Sequence, residues 1–459
     1  MEARLRQRDE AGSYPRATYI SSILAQAAVV MGFVVYFEPA LCDILAVLAL
    51  VAGLPVLGRN IARLPRIVVI SLLVFISINV VGLISAISVK PAIRFFGITA
   101  YLIAFSILIY SLTWEKDGFR QHIVKAYMIA AFVTATLIWA GLFSNILNLP
   151  LLSRMTYADR PMGLFKDPNV AGSFLIPGAL FLSATILEEG RARSVSLWGA
   201  LFLIVSAVFH TASRSAVLCW GLGLLVLTVL SGTSLRRKLA HLAAIACIVM
   251  VVLPVMYACT GDGIIIDSSA RVLPHMGYVE SIVYGAQRYM ADIACRFGIE
   301  VRFAAGRGQL QRDNMKRFAV GVYEYDTGGR LYAWQAALEL WRSHPVIGVG
   351  PGNFEFLSPG IQERLGASFI TPSAHNTYLR VLAENGVVGL VSLVTPLIFA
   401  AVAMGRAGSK NNALWLTGHR LWLTASLIAL IANGLFIDSL HFRHLWLVFA
   451  LALREVRTD

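Results

Sequence analysis

The chain has 459 residues, of which 57% are hydrophobic and 14% are charged, and its formal net charge is +13. This low charged fraction, together with repeated apolar runs of roughly 17 to 22 residues, excludes a soluble globular protein and predicts an all-α polytopic membrane protein. The positive charge does not by itself indicate nucleic acid, because basic residues in membrane proteins usually orient loops and meet acidic head groups.

Twelve segments are apolar enough to be predicted as membrane spans. They are residues 18–36, 41–57, 67–87, 97–112, 126–147, 173–187, 197–212, 215–231, 240–258, 386–404, 421–438 and 444–453. No small-residue cleavage site follows the first segment, so we expect it to be retained as a helix. An even number of spans places both termini on one side of the membrane.

The distribution of Lys and Arg predicts which side that is. If both termini are cytoplasmic, the segments on that side carry twenty Lys and Arg, against seven in the short segments on the other side. Cytoplasmic loops carry the excess of basic residues in membrane proteins. We therefore expect both termini to be cytoplasmic.

One large loop is predicted between spans nine and ten, on the outer side. The chain is accordingly divided into a transmembrane bundle over residues 1–258, a helical loop domain over 259–385, and three further spans over 386–459. Acidic and basic residues are balanced in the loop, which is therefore expected to fold onto the bundle rather than to act as a basic tail.

The end of this loop contains two predicted helices. In "GGRLYAWQAALELWRSHP", Leu331, Trp334, Leu338 and Trp341 recur at helical spacing, and Pro345 follows the last turn. The glycines of "GVGPGNF" predict a turn rather than a nucleotide-binding loop, because no βαβ pattern surrounds them. A second helix is predicted over "NTYLRVLAENG".

Arg214, in "HTASRSAV", is the first candidate for chemistry, at the predicted outer junction of spans seven and eight. A charge at this depth is costly unless it pairs, reaches the head groups, or faces an aqueous or ligand-filled cavity. A guanidinium matches phosphate oxygens, and Ser213 and Ser215 would add hydroxyl donors. The residues alone leave two interpretations open, an interfacial arginine and an anion site.

Arg330 is the second candidate, in the first turn of the "GGRLYAWQ" helix. A cation gains nothing from the positive end of a helix dipole. Its position is understandable if arginine and helix end bind an external anion together, and the alternative is a solvated surface arginine.

His375 is the third candidate, just before the second loop helix. An isolated histidine is often structural. Here Ser373 or Asn376 is expected to cap the helix, whose positive end would lower the imidazole pKa and keep the ring able to accept a proton. Asn376 is alternatively placed to fix the tautomer of the ring.

Three weaker signals remain. Lys166, in the turn "GLFKDPN", either joins an anion site or belongs to a simple cap of span six. Glu324 and Asp326 resemble a metal-holding pair, but without further ligands they are more simply solvated. Cys259 and Cys295 are both predicted to lie outside, where an oxidising compartment would permit a disulfide.

Four stretches in order resemble the O-antigen ligase and Wzy-type polymerase superfamily over about residues 150–400. They are "GLFKDPN", "SRSA", "TGGRLYAWQAAL", and "GVGPGNF" followed by "HNTYLRVLAENGVVGL". The resemblance implies a glycosyltransferase of the bacterial inner membrane that takes a glycan from undecaprenyl diphosphate on the periplasmic side. Its other partners would be the surrounding membrane lipids.

The resemblance also implies roles for single residues. Arg214 and Arg330 would bind the donor diphosphate, and His375 would activate or orient the acceptor hydroxyl, in an inverting mechanism that uses neither metal nor cofactor. Beside these three, we predict from the residues themselves supporting roles for Ser213, Ser215, Asn376, Lys166 and Asn169. An insert at about 262–325 departs from the family pattern and would reshape the acceptor groove.

Three functions are compatible with these features. The first is an O-antigen ligase that attaches the glycan to the lipid A core. The second is a Wzy-like polymerase of O-antigen or exopolysaccharide, with the same chemistry and a lipid-linked acceptor. The third is a lipid-linked glycan flippase or transporter, which fits less well because the two halves of the chain differ and Arg214 is predicted near the membrane edge.

Overall fold

The computed structural model describes residues 16–37, 39–84, 86–116, 118–147, 155–157, 160–188, 194–260, 329–367, 370–406 and 418–456. The interpretations of Glu324 and Asp326 and of the 262–325 insert lie outside this part of the chain, as does Cys295 of the Cys259–Cys295 pair.

Within the described ranges the fold is almost entirely helical. The helices are α1 (Arg16–Val30), α2 (Leu41–Asn60), α3 (Arg66–Ile84), α4 (Val89–Glu115), α5 (Phe119–Leu147), α6 (Pro168–Glu188), α7 (Val195–His210), α8 (Arg214–Leu230), α9 (Leu235–Thr260), α10 (Gly329–Ser343), α11 (Phe354–Arg364), α12 (Thr377–Arg406), α13 (Gly418–Asn433) and α14 (Arg443–Glu455). Two 3-10 turns, Met31–Phe33 and Ile61–Arg63, extend α1 and α2. Strands β1 (Thr156–Tyr157) and β2 (Arg160–Pro161) pair antiparallel between α5 and α6.

The prediction of a helical, multi-pass membrane protein is confirmed. Each of the twelve predicted spans overlaps a helix. Among the described residues, six helical segments are long and apolar enough to cross a membrane, namely Leu41–Arg63, Arg66–Ile84, Val89–Glu115, Phe119–Phe143, Pro168–Glu188 and Thr377–Gly405, while α7 and α8 are shorter apolar helices. The total of twelve spans stays a prediction.

Helix α6 lies at the centre of the bundle. Its membrane-length window is 83% buried, against 28% to 56% for the other long helices. It packs against α7, α8 and α13, and Gly172 allows close approach, since a Cβ there would lie 2.8 Å from Thr211 Oγ1. The turn between α7 and α8 therefore lies directly against the start of α6.

The bundle has two ends that are defined by contacts between helix termini. At one end, the upper face, Arg443 of α14 pairs with Asp43 of α2, and Arg380 of α12 lies over Phe95 of α4. The other end is the lower face, where carboxylates of α4 and α14 meet basic residues. Its ion pairs are Arg59–Glu115, Arg120–Glu455 and Arg420–Glu455.

Helices α10 and α11 pack on the upper face against α12. The predicted α10 is present, but its buried side is a row of small residues, Ala333, Ala336 and Ala337, with Leu340. Leu331, one of the apolar residues that predicted the helix, is 52% exposed. Small side chains allow the backbones of α10 and α12 to approach closely. Helix α11, which follows "GVGPGNF", was not predicted.

The second predicted loop helix runs into the tenth predicted span with a break between them. Gly386 within α12 has φ 65° and ψ −169°, and a Cβ there would lie 2.2 Å from the Val346 carbonyl oxygen. Only glycine tolerates both this conformation and this contact. The "NTYLRVLAENG" helix thus ends at the residue that the sequence indicates.

Candidate functional site

Arg214 is presented by a tight turn between α7 and α8. Ser213 caps α8, because its Oγ accepts the Ala216 N–H at 3.3 Å, and its own N–H donates to Thr211 Oγ1 at 3.3 Å. Ala212 between them has φ 49°, an uncommon value for a residue with a side chain. Arg214 is the first residue of α8 and is exposed on the upper face.

A further arginine, Arg160, ties the β-hairpin to this turn. Its Nε donates to the Thr211 carbonyl at 3.0 Å, and its Nη2 donates to Asn169 Oδ1 at 2.9 Å. Asp167 caps the start of α6, where its Oδ1 accepts the Asn169 N–H at 2.6 Å. The hairpin, the α6 cap and the α7–α8 turn therefore form one connected unit.

Arg330 lies in the first turn of α10 and is half-buried. Burial lowers its pKa, and the charge of Asp167 opposes this shift. The pKa of Arg160 is also lowered by burial, with Asp167 raising it and the like charges of Arg214 and Arg330 lowering it further. These mutual effects place three guanidinium groups and one carboxylate in a single region.

His375 is held in a strained turn immediately before α12. Its φ is 46°, and its N–H donates to Ser373 Oγ at 3.2 Å. Trp334 of α10 donates from Nε1 to the carbonyl of the preceding residue, Ala374, at 2.9 Å. The helix that begins with Arg330 thus also fixes the backbone that carries His375.

Burial and the charge of Arg330 favour the neutral form of the His375 imidazole. Burial lowers its pKa below the ordinary 6.5, and the like charge of Arg330 lowers it further, while Asp167 and Asp438 raise it. The direction agrees with the sequence-based expectation, but burial and Arg330 replace the helix end as the causes. The same interactions show that His375, Arg330 and Asp167 share one electrostatic environment.

Asn376 serves as the cap of α12. Its Oδ1 accepts the N–H groups of Tyr378 and Leu379, both at 3.0 Å, and its Nδ2 donates to the Leu435 carbonyl at 3.1 Å. Both ends of the amide are therefore engaged in holding the start of the helix. This contact set gives Asn376 a positioning role rather than a bond to the imidazole.

Arg380, one turn into α12, is buried among three carboxylates. It contacts Asp438 Oδ2 at 2.5 Å, Glu355 Oε1 at 3.1 Å and Glu384 Oε1 at 3.2 Å. Its guanidinium also lies 4.3 Å from the centroid of the Phe95 ring. The network fixes Asp438, which acts on His375, and brings net negative charge next to the arginine-rich region.

Arg214 and Arg330 both act electrostatically on Arg160, and Arg330 acts on His375, so the three predicted residues share one region of the upper face. Asn169 joins them through Arg160, while Ser213 and Asn376 act as helix caps. Ser215 Oγ lies 3.2 Å from Ser213 Oγ, and Lys166 is exposed.

Sequence reasoning did not identify four residues of this region, Arg160, Asp167, Arg380 and Asp438. The "KDPN" turn contains a recognisable signal for one of them, since aspartate before proline is a common helix start. Asp438 has no local signal, because its partner Arg380 lies 58 positions earlier in the chain.

An apolar groove leads from this region down the side of the bundle. It encloses about 1330 Å³ between α12 and α13, and it is lined at the upper end by Tyr378 and Leu435 and at the lower end by Ile67 and Val456. The N–H of Tyr378 donates to the Asn376 side chain, and the carbonyl of Leu435 accepts a hydrogen bond from it. The groove therefore begins next to the turn that carries His375.

The described residues contain no group of three or more His, Cys, Asp or Glu side chains arranged to hold a metal ion.

Comparison with known proteins gives two matches. Residues 199–394 match a model of the Wzy_C family, described as O-antigen ligase, and this segment includes Arg214, Arg330 and His375. The exopolysaccharide production protein ExoQ of Rhizobium meliloti (strain 1021) is 32% identical over 77 residues, which is 16% of this chain and 18% of that relative. Residues 199–394, which form less than half of the chain, are therefore similar to the O-antigen ligase/Wzy-type superfamily.

Proposed function

We propose that this protein transfers a glycan from undecaprenyl diphosphate to a hydroxyl group of a second glycan, on the periplasmic side of the bacterial inner membrane. The observation that supports this most directly is the convergence of Arg214, Arg330 and His375 on one face of a membrane bundle. All three lie in the segment that matches the O-antigen ligase family.

The arginines would bind and stabilise the diphosphate. Arg160, Arg214 and Arg330 together carry three positive charges beside the single carboxylate of Asp167. The leaving diphosphate gains one negative charge as its bond to the sugar breaks. Preorganised guanidinium groups in a partly buried site stabilise such developing charge without a proton donor, and in this proposal without a metal.

His375 would act as the base for the acceptor. The acceptor oxygen attacks the anomeric carbon and gives its proton to the neutral imidazole, while the bond from that carbon to the phosphate oxygen breaks and its electron pair leaves with the diphosphate. Attack opposite the leaving group inverts the configuration at carbon. A pKa lowered by burial and by Arg330 keeps His375 ready to accept this proton at pH 7.

The groove between α12 and α13 would hold the polyprenyl tail. From Leu390 to Ala403 it follows roughly 20 Å of helix at 1.5 Å per residue. Its walls are almost entirely apolar, and its upper end adjoins the site. A tail lying in this groove would place its diphosphate near the arginines.

The charges on the lower face support the proposed orientation. Its described basic residues include Arg59, Arg63, Lys116, Arg120, Arg420 and Arg454. If this face is cytoplasmic, as the excess of basic residues favours, the candidate site faces the periplasm.

For the acceptor, we propose the lipid A core as the first candidate, because the matched family is described as O-antigen ligase. The ExoQ match favours a second candidate, a lipid-linked repeat in an exopolysaccharide polymerase. Deletion of the gene separates the two. Loss of the ligated lipopolysaccharide ladder with accumulation of lipid-linked polymer indicates a ligase, whereas unchanged lipopolysaccharide with lost secreted polymer indicates an exopolysaccharide polymerase.

A reconstituted assay tests the chemistry itself. The purified protein in lipid nanodiscs receives an undecaprenyl-diphosphate-linked glycan and either acceptor, and the transferred product is measured. We expect Arg214→Gln and Arg330→Gln to reduce transfer by at least about tenfold, the effect of one charged hydrogen bond. Arg364→Gln is the matched control, because Arg364 forms an exposed pair with Glu339 on neighbouring helices. Equal transfer by all three variants would overturn the proposal.

A further inference from the structure

The backbone that carries His375 is clamped on both sides of this residue. On one side, the carbonyl of Ala374 accepts the Nε1–H of Trp334 at 2.9 Å. On the other side, the N–H of Thr377 donates to the carbonyl of Gly434 at 2.8 Å. His375 itself has φ 46°, a left-handed conformation that a residue with a side chain seldom adopts. Such strain persists only where the surrounding contacts over-determine it, so the clamp keeps His375 in its turn.

The hydroxyl of Thr377 uses its full hydrogen-bonding capacity in this clamp. It donates to the Ile437 carbonyl at 3.0 Å, its oxygen accepts the Ser439 N–H at 2.7 Å, and Ser439 Oγ lies 3.1 Å away. A threonine hydroxyl has one donor and two acceptor positions. Because its single hydrogen points at Ile437, the Ser439 hydroxyl is the donor in the third contact. Thr377 and Ser439 are only 4% and 3% exposed, so water does not compete for these bonds.

The partners of Thr377 belong to the connection between α13 and α14, residues 434–442, which has anchors other than α12. The Leu440 carbonyl accepts the Nε1–H of Trp446 at 2.7 Å. Arg443, the first residue after the connection, pairs with Asp43 of α2 at 2.6 Å. The connection is therefore a fixed support, and the start of α12 is the part that it positions.

We propose that Thr377 is a positioning residue for His375: its hydroxyl fixes the start of α12 on the α13–α14 connection and thereby holds the imidazole where it meets the acceptor. This inference rests on the proposed function, in which His375 is the base. Without the hydroxyl, the Ser439 N–H and the Ile437 carbonyl lose a buried partner, and His375 can leave its strained turn. The imidazole then moves away from the acceptor, while the arginines and the groove still bind the donor.

The reconstituted transfer assay tests this role with Thr377→Val, which removes the hydroxyl and keeps the shape of the side chain. We expect kcat to fall at least about tenfold, since a small misplacement of a reacting group can cost up to about a hundredfold, and KM for the donor to stay unchanged. Thr377→Ser keeps the hydroxyl and should restore kcat.

The matched control is Thr228→Val, because the buried Thr228 hydroxyl bonds the Leu224 carbonyl one turn earlier in its own helix, α8. It should leave kcat unchanged. Unchanged kcat in Thr377→Val, an equal loss in Thr228→Val, or no rescue by Thr377→Ser would overturn the positioning role.

Chemical modification tests the clamp without a glycan donor. Diethyl pyrocarbonate acylates neutral imidazoles, and mass spectrometry of the His375 peptide measures the rate in the purified protein. Thr377→Val should speed modification of His375, whereas the exposed His344 should react at the same rate as in the wild type. Ser439→Ala, which removes one of the three contacts, should have a smaller effect in the same direction and serves if Thr377→Val does not fold.

The two measurements separate this inference from the proposed function. Unchanged reactivity of His375 in both variants would overturn the clamp, whether or not the protein transfers glycans. Faster modification with no transfer by the wild type would refute the proposed function alone, since the clamp on His375 would still be shown.

Discussion

At the scale of single residues, the strongest consequence of the structure is the neutral state of His375. Its pKa is lowered by burial and by the like charge of Arg330. A base of this kind is active above its pKa and becomes protonated, and therefore inactive, as the pH falls through it. The acid side of the rate profile consequently lies below the ordinary histidine value.

The first prediction concerns the acid limb of the pH–rate profile, which is the range where the rate falls as the pH is lowered. We expect kcat/KM for glycan transfer to fall on the acid side with a midpoint below the ordinary histidine value, because burial and Arg330 lower the pKa of His375. His375→Asn should lower transfer roughly hundredfold or more and remove the limb, since a general base contributes about 10²–10⁴-fold. Asparagine suits the positive φ of the turn, so the variant keeps the backbone.

The control is His344→Asn, which alters an exposed histidine at the end of α10 that bonds Ser343. It should leave both the rate and the limb unchanged. Full transfer by His375→Asn would show that His375 is not the base for the acceptor.

The second prediction concerns two neighbours of His375 that shift its pKa in opposite directions. Arg330 lowers the pKa of the imidazole and Asp438 raises it. Arg330→Gln should therefore move the acid limb to higher pH, and Asp438→Asn should move it to lower pH. The position of the limb is measured rather than the rate, because both variants also affect donor binding or the Arg380 network. Shifts in one common direction would contradict the assigned electrostatics.

Local sequence signals identify some of these residues and not others. Arg330 and His375 stand next to predicted helix starts, where a cation or an imidazole is chemically conspicuous. Arg160 and Asp438 have no such signal, because their roles depend on a hairpin and on a loop that return to the site through tertiary packing. Sequence reasoning therefore finds the residues that local context marks, such as Arg330 and His375, but not Arg160 or Asp438, whose positions depend on tertiary packing.

At the scale of elements, the Arg380 network holds α12 against α11 and the loop that precedes α14. Glu384 within it is fully buried, and its Oε1 accepts the Phe354 N–H at 3.2 Å as well as Nε of Arg380. Removal of the arginine would leave this carboxylate without its counter-charge.

The third prediction measures the contribution of that network. Arg380→Met should destabilise the protein by about 3–5 kcal/mol, as expected when one partner of a buried ion pair is removed. Arg364→Met, which breaks an exposed pair with Glu339, should cost no more than about 1 kcal/mol. Thermal unfolding of the two purified variants compares them directly. Similar midpoints for both would show that the buried network does not hold the site together.

Helix α11 shows why some elements escape sequence analysis. Its sequence, "FEFLSPGIQER", contains Pro359 and Gly360, two residues that disfavour helix interiors. The helix begins where α12 holds Phe354, because Glu384 Oε1 accepts the first helical N–H at 3.2 Å. Helices α10 and α12, in contrast, carry their signals in their own spacing and were predicted.

At the scale of the whole molecule, the groove between α12 and α13 connects the site with the membrane. Hydropathy predicted the apolar helices, but the groove depends on how α12 and α13 diverge, which no single segment encodes. If the polyprenyl tail lies there, filling the groove should raise KM only for donors with a long tail.

The fourth prediction follows from this dependence. Val394→Trp fills the groove and should raise KM for the undecaprenyl donor roughly tenfold, equivalent to about two buried methylene groups. A donor with a short prenyl tail should show no change. Leu54→Trp, at a position 62% exposed on α2 and outside the groove lining, is the control. An equal rise in KM for both donors would place the tail elsewhere.

The central claim is that Arg214 and Arg330, from separate parts of the chain, bind one diphosphate. The most direct test is the affinity of the purified protein for undecaprenyl diphosphate in a double-mutant cycle of Arg214→Gln and Arg330→Gln. We predict that each single variant binds about tenfold more weakly or worse, and that the double variant departs from additivity by at least about 0.5 kcal/mol, because the two residues share a ligand. Unchanged affinity in either single variant, or strictly additive losses, would contradict the account.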